Sequence, residues 1–288
     1  MKLALGTAQF GLHYGIANSL GRIGLAEATR VVALARKGGV ETLDTAIAYG
    51  ESESCLGSIG VQGFNVITKL PALPTGISDA TKWLTEEVQK SISRLKVDSI
   101  YGLLLHRSEN LRGSVGRSID KVLKQLKNEG LVKKVGISIY SPKELNEVIG
   151  DHEIDIVQAP MNLLDHRLET SGWLRKLEVL DIELHVRSVF LQGLLLMPNC
   201  LIPSKFNHWS HIFESWSAWQ IENRVTPLEA CLAFVASKTG IDTVVMGVDN
   251  AAHLSEIMRV FNSISLYQFP DLRCDDERLI NPSYWSNL

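Results

Sequence analysis

The chain has 288 residues, of which 45% are apolar and 21% charged, with a formal net charge of −3. That length suits a single α/β barrel with a core large enough to need no staples. The slight negative charge, with no basic block, lacks the electrostatic footprint of nucleic-acid binding, and Cys55, Cys200, Cys231 and Cys274 are too scattered for a zinc site or a disulfide framework.

The chain opens on one lysine and a short, glycine-interrupted apolar run, unlike the continuous apolar region of a signal peptide. Strand-like runs rich in Val, Ile and Leu follow at Lys2–Leu5, Val40–Leu43, Asn65–Thr68, Ser99–Leu105, Val135–Ile137, Ile154–Val157, Ile182–Val186 and Thr243–Met246. Most lack strict alternation, which predicts parallel strands covered on both faces. Between them Leu84, Val88, Ile92 and Leu95 recur at helical spacing, as do Val115, Ile119, Val122, Leu123 and Leu126. Ser141-Pro142-Lys143-Glu144 and Thr226-Pro227-Leu228-Glu229 read as capping boxes with proline at the first helical position. The longest uncharged stretch, Ser188–Ser204, contains Gln192, Pro198, Asn199 and Pro203 and makes a poor membrane span. No membrane partner is expected, and a reducing cytoplasm is the expected location. Pro198–Trp219 reads as a long loop with an extra helix, and the tail from Phe269 as irregular and aromatic. Both are expected to pack over one end of the barrel. Trp209, Trp216 and Trp219 read as packing, with an apolar pocket wall as the alternative.

Eight strands alternating with about eight helices predict an α/β fold, a (β/α)8 TIM barrel forming a single domain over residues 1–288, with its active site at the C-terminal strand ends. A doubly wound open sheet would carry a glycine-rich turn after its first strand, and Gly6-Thr7-Ala8-Gln9-Phe10-Gly11 is not GxGxxG.

Four polar residues fall at or just beyond such strand ends. Asp44 ends the second run, Tyr49 follows in the next loop, Lys69 ends the third and His106 the fourth. Charged groups closing apolar runs need a partner or a polar cavity. Singly, each has a plain reading as a cap, turn residue, solvated cation or satisfied imidazole. Their order on successive strands makes a shared site the better reading.

Here the sequence resembles the aldo-keto reductase family. Leu43 to Gly57, LDTAIAYGESESCLG, is similar to that family's DTAxxYGxSExxLG segment, and Thr68-Lys69 and Leu105-His106 match its Lys and His positions. The resemblance implies carbonyl reduction of a small-molecule substrate with NADPH or NADH as cofactor and no metal. It makes Tyr49 the general acid, with Lys69 lowering the phenol's pKa, Asp44 holding Lys69 and His106 placing the carbonyl oxygen. For the cofactor it implies Thr7, Asp44, Ser138, Gln158, Arg187, Ser188, Gly193, Gly247, Asp249, His253 and Glu256. Gly136-Ile137-Ser138 resembles a GVSN segment, with Ile139 in place of Asn. Gln158 to Arg167 is similar to QxxYNLxxR, with Met161 in place of Tyr. Arg187 to Leu195 resembles WSPLAxGLL, which puts Arg187 where a side chain stacks on nicotinamide.

At the adenosine end, Gly247 and His253 fill basic positions, Ile257 replaces Asn, and Asp249 puts a carboxylate where a 2′-phosphate is expected, which suits a ribose 2′-hydroxyl better. The loop Gln9–Arg22, with His13, Tyr14, Asn18 and Arg22, is expected at the pocket mouth, either as lining for a sugar-like substrate or as a plain surface hairpin. Tyr14 and Asn162 are the candidate substrate contacts. Two alternatives stand beside the reductase. One is a cofactor-binding regulatory or accessory protein with little turnover. The other is a barrel lyase or isomerase, which would need a metal carboxylate cluster or a Schiff-base lysine.

Overall fold

A computed structural model describes residues 1–77 and 79–288. Eight parallel strands, β1 (Lys2–Gly6), β2 (Thr42–Asp44), β3 (Asn65–Leu70), β4 (Ile100–Leu105), β5 (Val132–Ser138), β6 (Ile156–Pro160), β7 (Glu183–Arg187) and β8 (Thr243–Gly247), lie in sequence order. β1 pairs with β8, Lys2 opposite Thr243 and Gly6 opposite Gly247, and closes the (β/α)8 barrel. The crossovers carry Leu25–Lys37, Ser52–Ile59, Ala80–Leu95, Gly113–Asn128, Leu145–Val148, Trp173–Val179 and Pro227–Ala236, and Ala251–Phe261 follows β8.

The helical spacing is answered by burial. Leu84, Val88 and Leu95 are fully buried, as is the Ile119–Leu126 stripe, which packs the helices onto the barrel. Val115 departs from the expectation. It lies in the first turn of its helix and is 46% exposed. The strand limits also shift. β2 begins at Thr42 rather than Val40, and β5 and β6 run on to include Ser138 and Gln158, because these polar residues remain in the ladder, Gly6 opposite Asp44 and Ser138 opposite Gln158.

Both capping boxes form. Thr226 opens the ten-residue helix Pro227–Ala236, whereas Ser141 opens only a 3-10 turn and the four residues Leu145–Val148, after which Ile149 bridges to His152. The tryptophans are packing residues. In the helix Ser210–Asn223, Trp216 and Trp219 stack at 5.6 Å, their indole N–H groups donating to the carbonyls of Leu195 and Gln268. Phe269 of the tail lies 5.5 Å from Trp219.

Inside the barrel Ile67, Leu104 and Ile156 form an apolar layer. It closes against a glycine: a Cβ on Gly136 would stand 2.1 Å from the Ile156 carbonyl oxygen. With the interior filled, the polar strand ends above it are left to build a site. Among the described residues no helix is long and apolar enough to cross a membrane.

Candidate active site

Asp44 is the hub. Its Oδ1 receives Lys69 Nζ at 2.6 Å, and its Oδ2 receives the Gln158 amide at 2.7 Å. Lys69 also donates to the Thr45 carbonyl at 2.8 Å. The lysine is completely buried and the aspartate nearly so, so each charge depends on the other. Burial pulls the Lys69 ammonium below its ordinary range, and Asp44 works against that pull.

The segment bearing these groups is pinned from below. Glu53, itself buried, accepts from Thr68 Oγ1 and Ser91 Oγ at 2.6 Å each and from Arg94 Nε at 2.7 Å. Ser52 Oγ donates to Thr7, and Thr7 Oγ1 donates to the Asp44 carbonyl at 2.9 Å. The Ser-Glu pair that follows Tyr49-Gly50 therefore ties β1, β2, β3 and the helix Ala80–Leu95 together around Asp44 and Lys69.

Tyr49 stands above this pair. Its ring centroid is 5.1 Å from Lys69 Nζ and 6.0 Å from the His106 ring, which meets it nearly edge-on. Burial, followed by the Asp44 charge, pushes the phenol well above its ordinary value, with Arg187 opposing. This corrects the expectation that Lys69 lowers it. Two of the three Lys69 N–H groups go to Asp44 and Thr45, and at the phenol desolvation and the Asp44 charge outweigh the opposing Arg187 guanidinium. His106 is pushed down to about 3, by burial first and then by Lys69 and Arg187, so its imidazole is neutral at pH 7.

A cavity of about 490 Å³ opens beside these residues across the C-terminal strand ends. Its wall includes Thr7, Tyr14, Asp44, Tyr49, Gln158, Arg187, Ser188, Gly193, Gly247, Asp249, His253 and Glu256. Lys69, His106 and Ser138 are not lining residues of this cavity, although His106 is partly exposed and adjoins the Tyr49 ring. Lys69 and Ser138 are buried, Ser138 at the end of β5 beside Gln158. Asn162 does not line this cavity. It is fully buried, its amide nitrogen donates to the Ser188 carbonyl, and its oxygen accepts from Leu164 and Asp165 N–H, so its polarity shapes the loop after β6.

The Gln9–Arg22 loop is a wall of the cavity and not a free hairpin. Ile16 N–H donates to the Gln192 carbonyl at 3.0 Å, and Asn18 braces the turn through Tyr14, Leu20 and Gly21. Gly193, at φ +93°, allows this contact, because a Cβ there would lie 2.7 Å from that of Ala17. Ser188, Leu191 and Gln192 also hold left-handed backbone, which is costly for residues with side chains and tends to persist where a site needs it.

Among the described residues two buried polar atoms of wall residues have no hydrogen-bond partner, Gln158 Oε1 and Gln9 Oε1. Such orphans suit a ligand that brings donors, as the carboxamide of a nicotinamide does. Gly247 keeps the wall bare beside Gln9, since a Cβ would stand 2.7 Å from Gln9 Nε2. The adenosine-side residues are acidic in balance. Asp249 is half-buried, and burial raises its carboxyl. His253 Nδ1 is 3.8 Å from it, and Glu256 follows one turn on. Glu27 accepts the Ala251 N–H at 2.7 Å and Asn250 accepts that of His253, so the helix start is capped by the protein itself. Gln9, Gln192 and Glu27 escaped the sequence reading. Gln9 lies in the single helical turn Ala8–Gly11, Gln192 in the kinked 3-10 segment Leu191–Leu196 and Glu27 on an outer helix, none with a spacing signal of its own.

The profile described as the Aldo/keto reductase family matches residues 2–273. The oxidoreductase YqkF of Bacillus subtilis (strain 168) is 26% identical over 248 residues, covering 78% of this chain and 79% of that protein. Among solved structures, an aldo-keto reductase from Bacillus halodurans in its holo form superposes with a TM-score of 0.72 at 20% identity, over 93% of this chain and 88% of that one. A glycerol dehydrogenase from Gluconobacter oxydans does so with a TM-score of 0.69 at 19% identity, over the same shares. At such identities these two likenesses show the fold alone.

Proposed function

The chain belongs to the aldo/keto reductase family, an oxidoreductase family of carbonyl reduction, and from that membership we propose that it reduces an aldehyde or ketone to an alcohol with NADPH or NADH. The observation that carries the reading is the Asp44 carboxylate. It joins the buried Lys69 to Gln158, a residue that lines the same cavity as Tyr49 and whose amide oxygen has no partner among the described residues.

When bound, the nicotinamide supplies hydride to the carbonyl carbon. Gln158 Oε1 and Gln9 Oε1 would accept from the dinucleotide, and Ser188 and Gly193 would shape its channel. Arg187 and Ser138 would lie toward its nicotinamide, and Gly247, Asp249, His253 and Glu256 toward its adenosine. Tyr49, protonated at neutral pH, gives its O–H proton to the carbonyl oxygen. An oxygen turning into an alkoxide is basic enough to take it even from a weakly acidic phenol. The tyrosinate left behind is stabilised by the Arg187 charge. Neutral His106 hydrogen-bonds the same oxygen and sets its position. Tyr14 meets the substrate from the rim.

The test is a fluorescence titration with NADH and NADPH followed by a carbonyl panel read at the cofactor absorbance. Saturable binding with turnover supports the reading, and failure of both cofactors to bind sinks it. The acidic adenosine end favours one second reading, a cofactor-binding accessory protein with little turnover. Binding without turnover across the panel would select it.

A further inference from the structure

Arg187 closes β7 on the wall that also holds Tyr14, Tyr49 and Gln158. Its guanidinium carbon lies 4.6 Å from the centroid of the Tyr140 ring. Nη2 donates to the Ile139 carbonyl at 2.9 Å and Nη1 to Ser188 Oγ at 3.2 Å. Arg107, exposed just past His106, lies 5.7 Å from the centroid of the same ring. Among the described residues neither guanidinium has a carboxylate partner. The acids nearby are spent elsewhere: Asp44 on Lys69 and Gln158, Glu144 on Ser108 and the amides of Tyr140 and Ser141, and Asp165 on Arg167. A guanidinium has five N–H donors, so Arg187 keeps some free toward the cavity.

A half-buried cation without a counter-charge is a cost that a bound anion removes. The same cavity also carries Asp249 and Glu256, which follow the neighbouring strand β8, so its lining holds both signs of charge with Arg187 as the one guanidinium among the described lining residues. We propose that the carbonyl substrate bears an anionic group, a carboxylate or a phosphate, received by Arg187 and attracted by Arg107 across Tyr140. The planar guanidinium fork matches either group with two parallel hydrogen bonds. The two arginines stand on the segments that close β4 and β7, so the anion and the carbonyl are held on the same side of Tyr49. This rests on the carbonyl-reduction reading and names its substrate class.

The experiment compares charged and neutral partners on one enzyme: 4-formylbenzoate against methyl 4-formylbenzoate, and glyceraldehyde 3-phosphate against glyceraldehyde. Because each comparison is a ratio, a change in cofactor affinity cancels. A charge-assisted hydrogen-bonded contact predicts a kcat/KM ratio of about 10- to 100-fold in favour of an anionic member. The first pair reports a carboxylate and the second a phosphate. Arg187→Gln should bring the ratio to within about threefold of unity, Arg187→Lys should keep part of it, and Arg107→Gln should lower it less. Calorimetric binding of 4-formylbenzoate and glyceraldehyde 3-phosphate to the NAD⁺-loaded enzyme, which cannot reduce them, should fall in the same order. Turnover of both neutral members at the rates of their charged partners overturns the proposal while leaving the reductase reading intact. So does a preference that Arg187→Gln leaves unchanged. Absence of turnover on all four is a failure of the reductase reading itself, and calorimetry on wild type and Arg187→Gln then decides the anion site.

Discussion

Gln158 Nε2 donates to Oδ2 of Asp44 at 2.7 Å, on the carboxylate whose other oxygen holds Lys69. One buried acid thus pairs with the ammonium near the tyrosine and fixes the amide nitrogen of Gln158, leaving its oxygen without a partner among the described residues. Asp44→Asn keeps the acceptor for Gln158 but leaves Lys69 buried without a counter-charge. Removing one partner of such a pair costs about 3–5 kcal/mol. The double variant Asp44→Asn/Lys69→Met should recover most of that loss. Urea unfolding measures both, and a double variant no more stable than Asp44→Asn would show that the charge pair is not what the fold depends on.

Tyr49 and His106 make a prediction about pH. The phenol is raised, so it stays protonated through neutrality, and the imidazole, at about 3, stays neutral above mild acid. Reduction should therefore show no step between about pH 5 and 9, where an unperturbed histidine or a strongly lowered tyrosine would titrate. Tyr49→Phe should keep cofactor affinity and lose roughly 10²-fold or more in turnover. A clear inflection near pH 6.5 in the wild-type profile, absent from a His106→Asn variant, would show that the imidazole titrates in the working range.

The same depressed histidine has a stability consequence with a definite sign. The unfolded chain takes up a proton near the ordinary value of 6.5, and the folded one only near 3. Between those values the unfolded state binds more protons, so His106 favours unfolding increasingly as pH falls from about 6.5 toward 3 and contributes nothing of this kind above that window. His106→Asn should flatten the acid side of a plot of urea midpoint against pH. An unchanged slope would place the acid sensitivity in other groups.

How much of this was legible in the sequence follows from where the chemistry sits. Asp44, Tyr49, Lys69 and His106 could be read because each closes or follows an apolar run, where a polar residue stands out. The barrel could be read for the same reason, from eight separate runs. Asn162 misled because a loop-building amide and a ligand-binding amide look alike in sequence. Only its three backbone partners tell them apart. Gln9 and Arg107 were invisible as site residues because single polar residues in a short helical turn or a loop are the ordinary case. The raised phenol of Tyr49 was not readable either, since desolvation depends on how deeply the whole wall buries a hydroxyl.

The adenosine end bears on the choice of cofactor. Glu27 and Asn250 occupy the N–H groups of Ala251 and His253, and Asp249 adds a carboxylate on the wall. Among the described residues no lysine or arginine lines this end, so a 2′-phosphate would meet the Asp249 carboxylate with only His253 to offset it, whereas a ribose 2′-hydroxyl can donate to Asp249. NADH should bind more tightly than NADPH, and Asp249→Ser should shift the ratio of dissociation constants toward NADPH by about tenfold, the scale of one removed charge repulsion. Wild-type enzyme that prefers NADPH would contradict the argument at its root.

Gly11 tests whether the placement of Tyr49 is set by backbone contact. A Cβ on Gly11 would stand 1.7 Å from the Tyr49 carbonyl oxygen and 2.6 Å from Ser52 N, both backbone atoms that no rotamer change can move aside. Gly11→Ala must therefore push apart the turn after β1 and the loop that carries the tyrosine. Overpacking of this kind costs about 1–3 kcal/mol. Because Gly11 is absent from the cavity lining, the loss should fall on kcat, with cofactor affinity largely kept. Gly24→Ala is the control: nothing lies within 4 Å of its added Cβ, and as a helix N-cap it should cost no more than about 1 kcal/mol. Equal effects of the two substitutions on stability and kcat would mean that the Gly11 contact does not position Tyr49.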